Sequence, residues 1–144
     1  MKLIVVPTAA ALAAALVATP AISRSEQGAT VFQVSLTGEA EVEAGDPDGT
    51  GRATIRINAR RGELCYQLRV SGIEPATAAH VHEAPPEVAG PVVAPLQAPT
   101  NGSSKGCVAI SKTLAQDIIR DPSDYYVNVH NTPYPGGALR GQLG

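Results

Sequence analysis

The chain has 144 residues, 44% of them hydrophobic but only 3% aromatic, with no Trp and a single Phe, so it can bury one modest core of Val, Ile, Leu and Ala. A formal charge of −2 without any basic stripe excludes a nucleic-acid partner. Gly (14) and Pro (12) are frequent, which points to many turns between short elements and away from a helical bundle.

Residues 1–21 read as an export signal. Met1-Lys2 is a positive start, residues 3–17 are an Ala-rich apolar run, and Ala18-Thr19-Pro20-Ala21 places small residues for cleavage after Ala21. The rival reading, a membrane anchor, needs about 20 apolar residues, and this run offers about 15 and contains Pro7. No second apolar stretch of that length follows, so no transmembrane segment is expected once the signal is removed. Residues 22–30 are small and polar and are predicted as a mobile mature N-terminus, leaving a single domain over 31–144. Such targeting predicts a periplasmic or secreted protein, in a compartment where disulfides persist.

Alternation of apolar and polar residues then predicts strands in sequence. Residues 31–36 place Phe32, Val34 and Leu36 in one phase, and residues 52–58 place Ala53, Ile55 and Ile57 opposite Arg52, Thr54 and Arg56. Ala59-Arg60-Arg61-Gly62 turns the chain into a strand over 62–70, whose apolar set is Leu64, Tyr66, Leu68 and Val70. Further strands are expected over 77–82, 91–96 (an edge strand) and 107–110, with a Pro-rich loop over 83–90 and another loop over 97–105. One helix is predicted, with Thr113 as N-cap, Gln116 three residues on, and Asp121-Pro122 as its end. The last strands are 125–130 and 138–143. About eight short strands with one short helix read as an all-β sandwich or barrel.

Cys65 and Cys107 are the only cysteines, and an even count in a small exported chain predicts an intramolecular disulfide. Both fall out of phase with the apolar residues of their strands, hence on one outer face. The rival reading, a thiol nucleophile or metal ligand, finds no base placed nearby in the sequence.

All three histidines lie in two predicted strands. His80 and His82 share one face opposite Val81, about 7 Å apart by strand geometry. His130 shares the phase of Asn128 and Tyr126, opposite Val127 and Val129. Three imidazoles from neighbouring strands form a candidate site for copper or zinc. Two plainer readings compete: histidines that hydrogen-bond and pin the Pro-rich loops, and unrelated surface residues. Arg140 and Asn128 are candidates for an anion-attracting or supporting role at the same end of the sheet. Glu83, Glu87, Asp121 and Asp124 are weaker carboxylate candidates. No phosphate loop, nucleophile elbow or complete acid, base and nucleophile set is present, so no catalytic residue is assigned.

Ala79-His80-Val81-His82, Gly90-Pro91-Val92-Val93, Tyr125-Tyr126-Val127-Asn128-Val129-His130 and the segment from Tyr134-Pro135-Gly136-Gly137 to Leu143 resemble a CHRD domain, the module named from chordin and common in bacterial exported proteins. The resemblance implies an all-β Greek-key fold. His80-Val81-His82-Glu83 is also similar to the copper-ligand strand of Cu/Zn superoxide dismutases. That second likeness implies that His80, His82 and His130 are copper ligands and that Arg140 steers superoxide, although no histidine is left to bridge copper and zinc. The resulting expectation is a binding or structural module with a protein or metal-ion partner and a candidate three-histidine metal site. The alternative is a copper-dependent dismutase-like enzyme.

Overall fold

The computed structural model describes residues 28–144. The expected signal over 1–21 lies outside the described residues, as does most of the stretch 22–30, whose last residue, Thr30, already begins the first strand. Eight strands follow: β1 (Thr30–Thr37), β2 (Thr50–Asn58), β3 (Glu63–Ser71), β4 (Ala76–Glu83), β5 (Val92–Leu96), β6 (Ser103–Ala109), β7 (Tyr125–Asn131) and β8 (Leu139–Gln142). They form one antiparallel sheet in the order β5-β4-β7-β8-β1-β2-β3-β6. The edge strands β5 and β6 approach each other at a seam, where Ser104 Oγ donates to Gln97 O at 2.7 Å, so the sheet is a nearly closed barrel. Around that seam β4, β5 and β6 are neighbours and β7 returns beside β4, which is a Greek key.

The alternation read from the sequence sets the barrel wall. Val34, Leu36, Ile55, Ile57, Leu64 and Leu68 point into the core from β1, β2 and β3, joined by Val81, Val127 and Val129 from β4 and β7. Tyr66 also points inward. Its hydroxyl accepts from Gln97 N at 2.8 Å, and Gly106, opposite it on β6, leaves room for the ring. The one α-helix among the described residues, α1 (Lys112–Arg120), packs on β2 and β3 and adds Ala115 and Ile118 to the core.

Two expectations are corrected. The helix is capped by Ser111, whose Oγ accepts from Leu114 N at 3.0 Å, and Thr113 lies inside the first turn. β6 ends early enough that Ile110 N bonds to Gly62 O, so the chain turns into the helix two residues sooner than Thr113. In addition β6 begins at Ser103, within the stretch 97–105 expected to be a loop. Its first residues are small or polar on both faces and therefore lack alternation, but they pair with Leu68 and Arg69 of β3.

The predicted disulfide is present. Cys65 and Cys107 face each other in register on β3 and β6 with Cα atoms 3.9 Å apart, and no free cysteine remains. Among the described residues no helix is long and apolar enough to cross a membrane.

Candidate metal centre

The β4–β7 register decides which side chains meet. Ala78 pairs with His130, His80 with Asn128, and His82 with Tyr126. His130 therefore lies diagonally beside His80 on the face away from the core, as strand phase predicts. The three imidazoles offer nitrogens that all lie within 4.8 Å of one another, with ring centroids 5.1 to 6.5 Å apart.

This outer face is only partly open to solvent: His82 is buried, and His80 and His130 are half-buried. In β7 Tyr126 and Asn128 are buried as completely as Val127 and Val129, because three connections fold over them: the β1–β2 loop, the β4–β5 loop and the β7–β8 turn. Asp46 N donates to Ala138 O at 2.9 Å, tying the first of these to the third. Together they enclose a cleft of about 400 Å³ lined by Glu41, His82, Tyr126, Asn128, His130, Tyr134 and Arg140, among others.

Backbone carbonyls select the ring tautomers. His130 Nδ1 lies 2.9 Å from Pro135 O and His82 Nδ1 lies 2.8 Å from Gly90 O. A carbonyl only accepts, so each Nδ1 carries the proton and each neutral ring presents an Nε2 lone pair. Nδ1–H bonded to a carbonyl with Nε2 left as donor atom is the arrangement that orients metal-binding histidines. His130 Nε2 is 3.2 Å from His80 Nδ1 and 3.0 Å from Asn128 Oδ1, where a neutral His130 needs the amide turned over so that its Nδ2 donates, while His82 Nε2 is buried with no hydrogen-bond partner. Burial lowers the pKa of His80, and the neighbouring His130 and His82 lower it further against an opposing hydrogen bond to Asn128. Burial also lowers His130, assisted by His82 and opposed by the Pro135 hydrogen bond. Both rings are thereby held in the neutral form that a metal requires.

The Pro-rich β4–β5 loop is built around Gly90. A Cβ there would collide with Glu83 O, so only glycine brings this backbone close enough to place its carbonyl on His82 and its N–H on Tyr126 Oη, 3.2 Å away. Tyr126 stacks on His82 with centroids 4.8 Å apart, and the Arg140 guanidinium lies 3.5 Å from the centre of the same tyrosine ring.

Arg140 is 1% exposed. Its Nη1 donates to Val88 O at 3.0 Å, its Nη2 to Pro85 O at 2.9 Å, and its Nε and Nη2 both to Gln142 Oε1. The anion-attracting role expected of Arg140 is thus set against an observed one, clamping the β4–β5 loop. Asn128, the other candidate for a supporting role, lies beside His130 with Oδ1 3.0 Å from its Nε2. Glu83, Glu87, Asp121 and Asp124 do not line the cleft.

Glu41, in the β1–β2 loop, has no counterpart in the sequence expectations. Its carboxylate rests against Gly137, where any side chain would occupy the same space, and its Oε1 is buried without a partner. Burial raises its pKa from the ordinary 4.5 to about 7, with nearby Arg140 pulling the other way. The only sequence signal was the alternation Glu39, Glu41, Glu43 in a segment whose polar composition reads as solvated loop.

The motifs that compose this site, from His80 through Gly90 and His130 to Arg140, fall within one family match. A family model for the CHRD domain matches residues 32–143. No curated protein and no solved structure matches the chain. Since that match runs from β1 to the residue after β8, the chain belongs to the CHRD domain family.

Proposed function

We propose that this chain is an exported binding module that holds one transition-metal ion, copper or zinc, through His80, His82 and His130. The observation that carries the reading is the gathering of three imidazoles whose ligand nitrogens all lie within 4.8 Å of one another, with His82 Nε2 buried and unpartnered. A buried nitrogen without a partner costs about 1–3 kcal/mol, and a metal ion removes that cost. Metal-to-nitrogen bonds near 2.0–2.1 Å in a tetrahedral site set the nitrogens about 3.3 Å apart. The 3.2 Å between His80 and His130 already meets that spacing, and since no pair is more than 4.8 Å apart, none has to close by more than about 1.5 Å. Neutral imidazoles suit both Cu(II) and Zn(II), with Cu(II) bound more tightly.

The purified chain should take up one Cu(II) or Zn(II), read by elemental analysis after gel filtration, and a variant with all three histidines replaced by Ala should take up none. Absence of stoichiometric metal from the wild type, or its retention by the triple variant, refutes the reading. Binding is favoured over superoxide dismutation because the Arg140 donors engage Pro85, Val88 and Gln142.

Export is supported by the signal pattern of residues 1–21 and by a disulfide of the kind oxidising compartments preserve. Mass measurement of the native protein should find Ile22 as its first residue; an intact N-terminus beginning at Met1 would contradict the leader.

A further inference from the structure

Among the described residues, two buried side-chain polar atoms lack a hydrogen-bond partner, His82 Nε2 and Glu41 Oε1, and both residues line the same cleft. Native interiors rarely leave such atoms unmet, and two in one cavity call for a common explanation. The two atoms need opposite things. The histidine nitrogen offers a lone pair, whereas a carboxylate oxygen needs a hydrogen donor or a cation.

Glu41 does not belong to the group of residues whose ligand atoms lie within 4.8 Å of one another, so it stands off from the point where the three imidazoles converge. Its carboxylate is held in that position from two sides. Gly137 provides a seat that any Cβ would fill, and the β1–β2 loop is tied to the β7–β8 turn by the Asp46–Ala138 hydrogen bond. The charged groups around it are Arg140, already committed to loop carbonyls, and Glu43, which lines the same cleft. Three histidines would leave a four-coordinate ion one position, and the cleft that Glu41 lines is also lined by His82 and His130.

We propose that Glu41 is a positioning residue for a small hydrogen-bond-donating ligand, water in the simplest case, bound at the cleft-facing position of the metal. This inference rests on the three-histidine reading. One donor molecule on the ion satisfies the carboxylate while the ion satisfies His82. The same geometry makes the cleft selective: a donor ligand is held at both ends, whereas an anion without hydrogen meets a second negative charge and leaves Oε1 unmet.

The test uses the Cu(II)-loaded full chain and azide, an anion that donates no hydrogen, followed through its charge-transfer band at pH 8. Glu41→Gln and Glu41→Ala should each retain one Cu(II) per chain and bind azide at least tenfold more tightly than the wild type. Azide affinities within twofold across all three proteins overturn the role of Glu41. Loss of copper from both folded variants overturns it as well, by making Glu41 a direct ligand. If the wild type itself binds no copper, the three-histidine reading fails first, and that result is distinct from either of the others.

Discussion

Glu41 is a carboxyl that folding pushes to about 7, so the folded chain holds its proton more tightly than the unfolded chain does. Between pH 4.5 and 7 the native state therefore carries the extra proton, and stability falls as pH rises through this window. In the metal-free protein the wild type should lose stability relative to Glu41→Gln from pH 5 to pH 8, measured by urea unfolding at each pH; parallel curves would contradict the buried carboxyl. His80 and His130, whose pKa values are lowered, contribute a slope of opposite sign below about 6.5, but they are common to both proteins and cancel. Gly90 acts through backbone proximity. Gly90→Ala forces the loop away from Glu83 O, at a cost of about 1–3 kcal/mol by the usual penalty for overpacking, and withdraws the carbonyl that orients His82. The histidines were legible because strand phase reports a side chain's face directly. Glu41 is not, because the alternation of Glu39, Glu41 and Glu43 in a polar segment reads as solvated loop and its burial depends on chain that arrives about a hundred positions later.

Strand β8 and the β4–β5 loop form one unit through Arg140. Arg140→Met keeps the bulk beneath Tyr126 but strands Pro85 O and Val88 O without their donor, and charge-assisted bonds of this type are worth about 1.5–3 kcal/mol each. Chemical denaturation should register a loss of about 2–4 kcal/mol. Because the same loop carries Gly90 O to His82, metal affinity should also drop by about 10- to 100-fold. A surface arginine free to attract anions would move neither quantity. The misplacement of the helix start has an equally local cause. Thr113 with Gln116 matches a capping box, but a cap requires the residue where the chain leaves extended geometry, and the Ile110–Gly62 hydrogen bond puts that change at Ser111. The early residues of β6 resemble loop in the sequence because they gain their regularity from β3 rather than from their own pattern.

The barrel as a whole separates stability from the candidate site. The disulfide lies on β3 and β6, and the histidines lie on β4 and β7. The bridge closes a span of 42 residues, which corresponds to about 4 kcal/mol of unfolded-chain entropy. A Cys65→Ser, Cys107→Ser double variant should lose about 3–4 kcal/mol in denaturant unfolding while its stoichiometry of bound metal stays unchanged; concerted loss of both would show that the two regions are coupled. Filling the interior with Val, Ile and Leu follows from the shortage of aromatic residues, and Tyr66 enters it at the cost of room at Gly106 and a partner at Gln97 N for its hydroxyl.

Period-two alternation is a property of neighbouring residues, so strands, their buried faces, the cysteine pair and the shared face of His80, His82 and His130 could all be read in one dimension. Convergence is not such a property. The diagonal contact of His80 with His130 depends on the β4–β7 register, and the cleft depends on three connections meeting over β7, where Gly90, Pro135, Gly137 and Glu41 supply what the strands do not. Folding had to bring those distant backbone groups together before an outer sheet face could become a second, polar interior with histidines of set tautomer.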